Sequence, residues 1–119
     1  MARTPKWAED LLLDACVYLG LDDIPDLSWR KTKHNYSSGR CQYYSTPRIV
    51  VSAGKNRFDQ KLVLLHEIAH AANPKQHHSD KFWDTAWNLY RWAKLPIRKT
   101  LQNEGNYKKG AITAYKRSK

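Results

Sequence analysis

A short segment near the middle of the chain has the residue types of a metal-activated hydrolytic site. Residues 66–70 read His-Glu-Ile-Ala-His, which is an H-E-x-x-H motif. On an α-helix the side chains at positions i and i+4 lie on one face, so His66 and His70 can reach the same ion. Glu67 follows the first histidine, where its carboxylate can contact a water held by the metal. The spacing therefore predicts a catalytic zinc (Zn²⁺) site in which Glu67 is the general base.

The third metal ligand must come from outside the motif, because a catalytic zinc usually has three protein ligands and one open position. Two adjacent candidates, His77 and His78, follow the motif after a short polar loop. We favour His78, since it lies at the start of the next helix, where the packing of Phe82 would fix its backbone. His77 would then be exposed to solvent, or it would contact a metal ligand without binding the metal itself. Glu104 and Asp84 are weaker candidates.

The motif requires a helix, and the surrounding residues predict one. Apolar side chains follow the i, i+3, i+7 spacing of a buried helical stripe, at Leu62, Leu65 and Ala69. Either Asn56 or Asp59 can cap the start of this helix, and Asn73-Pro74 ends it. A first helix is predicted from Thr4-Pro5 to Gly20 by the same kind of evidence. A further helix begins at Ser79 or Asp80 and extends to about residue 94.

The region between the first two helices favours β-structure. Residues 28–33, 40–44 and 48–52 are predicted strands, separated by a turn at 35–39 and by Pro47. We expect a small, mainly antiparallel three-stranded sheet, so the fold class is α+β. The strand at 48–52 or its neighbour is expected to present an exposed edge that binds the substrate backbone by strand addition.

Length and composition predict a small intracellular domain. The 119 residues fit one domain, and no stretch approaches the roughly 18 apolar residues of a membrane-spanning helix. The first five residues lack the apolar region of a signal peptide. Cys16 and Cys41 are far apart and form no C-x-x-C pair, so we expect free thiols in a reducing compartment. A cytoplasmic protein without membrane association is the expectation, and the sequence does not indicate the oligomeric state.

Positive charge is concentrated at the end of the chain. The net charge is +10, and residues 91–119 contain nine basic residues and a single acidic one. We therefore divide the chain into a domain at 1–96 and a basic C-terminal tail at 97–119. Such a segment favours a nucleic-acid partner, although a solvated tail without a specific partner has the same composition. The candidate nucleic-acid-binding residues are Arg98, Lys99, Lys108, Lys109, Lys116 and Arg117.

The H-E-x-x-H motif and the segment after it resemble the minimal metallopeptidase module of the SprT-like and YgjP-like families. The likeness combines residues 66–70 with the segment His-Ser-Asp-Lys-Phe-Trp at 78–83, and it extends over about residues 5–93. It implies a zincin-like fold, zinc bound by His66, His70 and His78, and Glu67 as the general base. It also implies hydrolysis of a protein or peptide substrate, which SprT-like members often direct at proteins on DNA.

Two departures from that family pattern leave the function open. SprT-like proteins often carry a C-terminal zinc ribbon, which this sequence lacks, and Ser79 replaces their usual glycine. The serine is closer to the YgjP-like pattern, which is associated with nucleotide pyrophosphate hydrolysis. A zinc metallopeptidase, a zinc-dependent nucleotide hydrolase, and a non-catalytic, zinc-stabilised DNA-binding or structural protein of a larger assembly are the three candidates. A second oxyanion donor is expected, and the side chains able to serve are His34, Arg40, Tyr43 and Tyr44.

Overall fold

A small sheet and several helices form this α+β protein, a computed structural model that describes residues 3–118, without the side chains of Asn106, Tyr107 and Ser118. Within that range there are five helices and three strands. In chain order they are α1 (Lys6–Leu19), β1 (Asp26–Lys31), β2 (Ser38–Gln42), β3 (Arg48–Ala53), α2 (Arg57–Ala72), α3 (Asp80–Trp92), α4 (Ile97–Tyr107) and α5 (Lys109–Ser118). The predicted α+β class is therefore confirmed.

The sheet is mixed, which corrects the expectation of a mainly antiparallel one. Its order is β1-β3-β2, with β1 parallel and β2 antiparallel to β3. The strands predicted at 28–33 and 40–44 consequently do not pair with each other. The physical reason is that Ile49, Val50 and Val51 of β3 are all buried, whereas β1 and β2 are largely exposed. The most apolar strand takes the centre, where both of its faces are covered.

The strand order also decides which strand can receive another chain. Both edges of β3 are hydrogen-bonded, so β3, the first choice for strand addition, is not available. Its neighbour β2 packs beside α2 and pairs on one side only within the described part of the chain. The edge next to the H-E-x-x-H helix therefore belongs to β2.

Local capping explains why the three predicted helices form where they do. The α1 helix ends at Gly20, whose φ of 71° suits glycine. The side chain of Asn56 accepts hydrogen bonds from the backbone N–H groups of Phe58 and Asp59 and so caps α2. Ser79 caps α3 in the same way, through the N–H of Phe82. These helices are confirmed, with bounds within about two residues of the prediction.

The residues expected to form a basic tail are helical and packed. Helices α4 and α5 contact α3, and Ala111 and Ala114 of α5 are fully buried in the core. The Nε1–H of Trp87 donates to the carbonyl oxygen of Ala111 at 2.9 Å. These two helices were difficult to predict, because short helices that bury alanine, Thr100 and Glu104 show no apolar stripe. Lys119 lies outside the described residues.

Cys16 and Cys41 are both free thiols, as expected, and Cys16 is buried. Among residues 3–118, no helix combines the length and apolar character needed to cross a membrane.

Candidate metal centre

Three imidazoles meet where α2 ends and α3 begins. His66 and His70 lie one turn apart on α2, and His78 lies just before α3. One nitrogen from each ring lies within 4.8 Å of the others, so the three histidines could hold a metal ion. The Nε2 atoms of His66 and His78 are 3.2 Å apart. In a tetrahedral site with Zn–N bonds of about 2.0–2.1 Å, ligand nitrogens are separated by roughly 3.3 Å. The separation of this pair fits that geometry.

A tight loop after α2 turns His78 back toward the motif. The side-chain amide of Asn73 donates to the carbonyl oxygen of Ala69 and to Oγ1 of Thr85, both at 2.9 Å, and so ties the end of α2 to α3. Within the loop, Lys75 and His77 have φ angles of 65° and 48°, in the left-handed region. The structure thus brings His78 into the cluster and leaves His77 exposed.

Glu104 holds His66 in orientation. Its carboxylate oxygen Oε1 lies 2.9 Å from Nδ1 of His66, and the Tyr90 hydroxyl donates to the same oxygen. Because Nδ1 is engaged in this way, Nε2 of His66 is left to face His78. A carboxylate bonded to the outer nitrogen is the usual support of a metal-binding histidine. Glu104, a weak candidate for a ligand, is therefore a partner of a ligand candidate. Asp84, the other weak candidate, lies 2.5 Å from Arg117 in an ion pair.

Aromatic rings enclose the imidazoles. Phe82 stacks on His70 with ring centroids 4.2 Å apart, and Trp83 stacks on His78 at 5.6 Å. Burial, followed by the charge of His66, lowers the pKa of His70 to about 3 and that of His78 to about 4. Both rings are therefore neutral at pH 7, which is the form that binds metal. The buried Nδ1 of His70 has no hydrogen-bond partner within residues 3–118.

His66 has the opposite electrostatic surroundings. Burial alone would lower its pKa, but the hydrogen bond and the negative charge of Glu104, helped by Glu67, outweigh burial and raise it. A proton on His66 must therefore leave when a metal binds.

Glu67 is buried beside the three histidines but is not one of the clustered donors. Burial raises the pKa of its carboxyl to about 7, with a further contribution from the charge of Glu104 and an opposing one from His66. A carboxylate with a pKa near the working pH is suited to accept and return a proton. Strand β2 passes directly over it, since a Cβ atom built on Gly39 would lie 3.0 Å from Cγ of Glu67.

Two cavities adjoin the histidine cluster and share part of their lining. We call the first the Asp59 cavity; it has a volume of about 320 Å³ and is lined by residues 36–39, Asp59, Leu62, Val63, His66, Glu67, Asn103 and Glu104. We call the second the Tyr43 cavity; it has a volume of about 270 Å³ and is lined by residues 39–41, Tyr43, His66, Glu67, His70, His77 and His78. Gly39, His66 and Glu67 belong to both cavities, so the two spaces meet at these three residues.

The candidates for a second oxyanion donor separate into two groups. Arg40 and Tyr43 line the Tyr43 cavity. His34 instead stacks on Tyr36, and neither His34 nor Tyr44 lines either cavity in the described part of the chain. Burial raises the pKa of Tyr43 to about 12, so its hydroxyl remains a hydrogen-bond donor at neutral pH.

The candidate nucleic-acid-binding residues are all exposed but do not all have free charges. Arg117 is ion-paired with Asp84, and Nζ of Lys99 lies 4.4 Å from the ring centroid of Phe58. Arg98 and Lys99 belong to α4, and Lys109, Lys116 and Arg117 belong to α5, with Lys108 between the helices. The basic residues are therefore held on a folded surface.

Sequence reasoning missed the support of His66 by Glu104 and Tyr90. It gave Phe82 a role in fixing the backbone near His78, but it did not predict that Phe82 stacks on His70. One signal was available for Glu104, because it is the single acidic residue in the strongly basic region 91–119.

No family model, curated protein or solved structure matches this chain. The function must therefore be inferred from the chemistry of the site itself.

Proposed function

We propose that this protein is a zinc-dependent metallopeptidase of zincin-like architecture, which hydrolyses peptide bonds by activating a water molecule. One observation carries the proposal: three imidazole nitrogens within 4.8 Å of one another lie beside a buried carboxylate, Glu67, under an edge strand. A site used only for structural stability would have no need of that carboxylate.

The donor set favours zinc. All three clustered donors are imidazole nitrogens, whereas magnesium and calcium prefer oxygen ligands. Catalytic zinc sites usually have three protein ligands and one open coordination position, whereas structural zinc sites have four protein ligands. When bound, zinc makes water acidic enough to ionise near neutral pH and polarises a substrate carbonyl.

The chain's own residues move the protons. Glu67 accepts a proton from the attacking water as the new carbon–oxygen bond forms, and it delivers that proton to the leaving amine nitrogen as the carbon–nitrogen bond breaks. Glu104 and Tyr90 keep His66 in position during these steps. Arg40 or Tyr43, which line the Tyr43 cavity, would donate a hydrogen bond to the carbonyl oxygen as its negative charge develops.

Strand β2 is suited to hold an extended substrate. Its free edge lies next to α2, and a peptide paired antiparallel to it would pass across the histidine cluster. The two cavities, which meet at Gly39, His66 and Glu67, would then accept side chains from both sides of the cleaved bond.

Basic charge supports a nucleic-acid partner as a part of this proposal. The six candidate residues are exposed and belong to a chain of net charge +10. Proteins bound to nucleic acid would then be brought to the peptidase site.

Nucleotide hydrolysis has less support. Arg40 is the one lysine or arginine that lines either cavity in the described part of the chain. A triphosphate carries several negative charges and needs more cationic or backbone N–H contacts than this site offers.

The direct test combines metal content with cleavage. We expect about one zinc per native chain by elemental analysis, little in His78→Ala, and a native amount in the matched control His77→Ala. Glu67→Gln should retain zinc and lose cleavage of an unfolded protein such as casein. Cleavage by Glu67→Gln would contradict the general-base role, and phosphate release from nucleoside triphosphates without proteolysis would favour the nucleotide hydrolase.

A further inference from the structure

The Asp59 cavity has a preformed shape. Its wall at residues 36–38 is fixed to the loop before α2, because Oγ of Ser37 accepts a hydrogen bond of 2.8 Å from the N–H of Gly54. The N–H groups of Lys55 and Asn56 donate to the carbonyl oxygens of His34 and Asn35 in the same region. The cavity is therefore built into the fold and does not depend on a loop closing.

One face of α2 forms the opposite wall, which is acidic at both ends and apolar between them. From the far end toward the metal centre, the lining residues are Asp59, then Leu62 and Val63, then Glu67. Eight residues of α-helix separate Asp59 from Glu67, which is about 12 Å. A side chain entering beside the metal centre would pass apolar surface before it reached the carboxylate of Asp59.

Asp59 has no charged partner among the described residues. Within residues 3–118 its carboxylate forms no ion pair and accepts no side-chain hydrogen bond, and the residue is only partly exposed. Its place in the first turn of α2 lets it stabilise the helix dipole, but that role does not require it to line a cavity. An unpaired carboxylate at the end of an apolar passage is suited to a long cationic side chain.

The direction in which a substrate pairs with β2 determines which of its residues enters the Asp59 cavity. A peptide antiparallel to β2 places the residues that follow the cleaved bond along the start of β2, at Ser38 and Gly39. This is the side of the Asp59 cavity. The residue immediately after the cleaved bond is thus the one that fills the cavity.

We propose that the Asp59 cavity selects lysine or arginine immediately after the cleaved bond, with Asp59 as the residue that determines this specificity. The proposal rests on the peptidase function, whose substrate class it narrows. The alkyl part of the side chain packs on Leu62 and Val63, and its cationic end pairs with Asp59. Methionine has a similar apolar length without the charge, so it is the natural comparison residue.

The test is cleavage of a defined mixture of random-sequence peptides, with mass spectrometry to identify the residue on each side of every cut. We expect the zinc-loaded protein to cut before lysine or arginine in preference to methionine. In Asp59→Asn the ratio of lysine to methionine should fall about tenfold, as expected for the loss of a charge-assisted contact. Asp59→Lys should shift the preference toward glutamate. Asp14→Asn, which removes an exposed acid on α1, should leave the ratio unchanged.

Two results would overturn the specificity while leaving the peptidase proposal intact. They are a preference for apolar residues after the cut in the native protein, and an unchanged lysine-to-methionine ratio in Asp59→Asn.

If no peptide is cut, the peptidase proposal itself is contradicted. The cavity is then tested by fluorescence anisotropy of labelled lysine-rich and methionine-rich peptides. Equal binding of both peptides to the native protein would overturn the selection of cations, and tighter binding of the lysine-rich peptide that Asp59→Asn abolishes would support it.

Discussion

The carboxylate of Glu104 lies 2.9 Å from Nδ1 of His66, although 38 residues separate them in the chain. This contact joins the C-terminal helices to the candidate metal centre. Tyr90 donates to the same carboxylate from α3, so three helices meet at one oxygen atom. The basic C-terminal region therefore contributes to the organisation of the site as well as to the charge of the surface.

Substitution of Glu104 should weaken metal binding without removing a ligand. In Glu104→Ala, His66 loses the acceptor that fixes its tautomer and ring orientation, and the loss of such a partner usually lowers metal affinity by about 10- to 100-fold. We expect Glu104→Gln to have a smaller effect, because the amide oxygen can still accept the hydrogen bond. Competition titration with a zinc-binding dye measures both affinities.

Tyr90→Phe provides the matched control for that measurement. It removes the hydroxyl that donates to Glu104 but leaves the bond between Glu104 and His66. Its effect on zinc affinity should be smaller than that of Glu104→Ala. Native zinc affinity in Glu104→Ala would show that the carboxylate does not orient His66.

The metal-free protein should be most stable near pH 6.5. The pKa values of His70 and His78 are lowered from 6.5 to about 3 and about 4, so below pH 6.5 the unfolded chain binds protons that the folded chain does not. Stability from these two groups is lost as the pH falls. The pKa of Glu67 is raised from 4.5 to about 7, and that of His66 is also raised. Stability from those two groups is lost as the pH rises through their folded values. Urea unfolding of chelator-treated protein from pH 4 to 9 measures the profile.

Glu67→Gln should make the metal-free protein more stable at pH 8. At that pH the native chain has to keep an ionised carboxylate buried, and a pKa raised from 4.5 to about 7 corresponds to a cost on the order of 3 kcal/mol. The neutral amide has nearly the same shape and does not ionise. Glu9→Gln, which alters an exposed glutamate on α1, should leave the free energy of unfolding nearly unchanged. A lower stability of Glu67→Gln than of the native protein at pH 8 would contradict this account.

Gly39 permits the close approach of β2 to the metal helix. A Cβ atom at this position would lie 2.6 Å from Cγ1 of Val63 and 3.0 Å from Cγ of Glu67. We therefore expect Gly39→Ala to push β2 away from α2, to cost about 1–3 kcal/mol of stability, and to lower peptide cleavage. Urea unfolding and cleavage kinetics measure the two effects.

Val63→Ala tests whether this overlap is the cause. It removes the atom nearest to the added Cβ, so the double variant should be less destabilised than the sum of the two single variants. Strict additivity of the two free-energy changes would show that Gly39 is required for another reason, such as its backbone conformation.

The elements that carry the motif were predictable because their signals are local. Asn56, Ser79 and Gly20 are capping residues at helix ends, and the i, i+4 spacing of His66 and His70 determines that both lie on one face. The position of His78 also followed from its place before a capped helix. These features depend on residues fewer than about ten positions apart.

The strand order and the C-terminal contacts depend on residues far apart in the chain. The apolar run at residues 49–51 is the one local sign that β3 is central, and the parallel pairing of β1 with β3 depends on which strand the helices cover. Likewise, Glu104 in a basic segment looks like a solvated acid until α4 is placed beside His66. The Asp59 cavity requires residues 36–39, α2 and α4 to be assembled together. Sequence spacing alone could not have indicated it.

Nucleic-acid binding has to be tested by changing charges, because deletion of residues 97–119 would also remove Glu104 from His66 and the buried Ala111 and Ala114 from the core. Lys109 and Lys116 are exposed and form no ion pair within the described residues. If both contact phosphates, Lys109→Gln/Lys116→Gln should weaken binding to double-stranded DNA and lower the slope of log K against log salt by about 2.

The matched control for that experiment is Lys31→Gln/Lys33→Gln, which removes the same charge from two exposed lysines in and after β1. We expect it to leave the salt slope close to the native value, because a specific phosphate contact is lost only where the DNA lies. Arg117→Gln should have less effect than either single lysine variant, since the guanidinium is already paired with Asp84 at 2.5 Å. Fluorescence anisotropy with a labelled duplex at several salt concentrations measures each slope. Equal losses of DNA affinity in both double variants would mean that the overall charge, and not a surface formed by α4 and α5, attracts the nucleic acid.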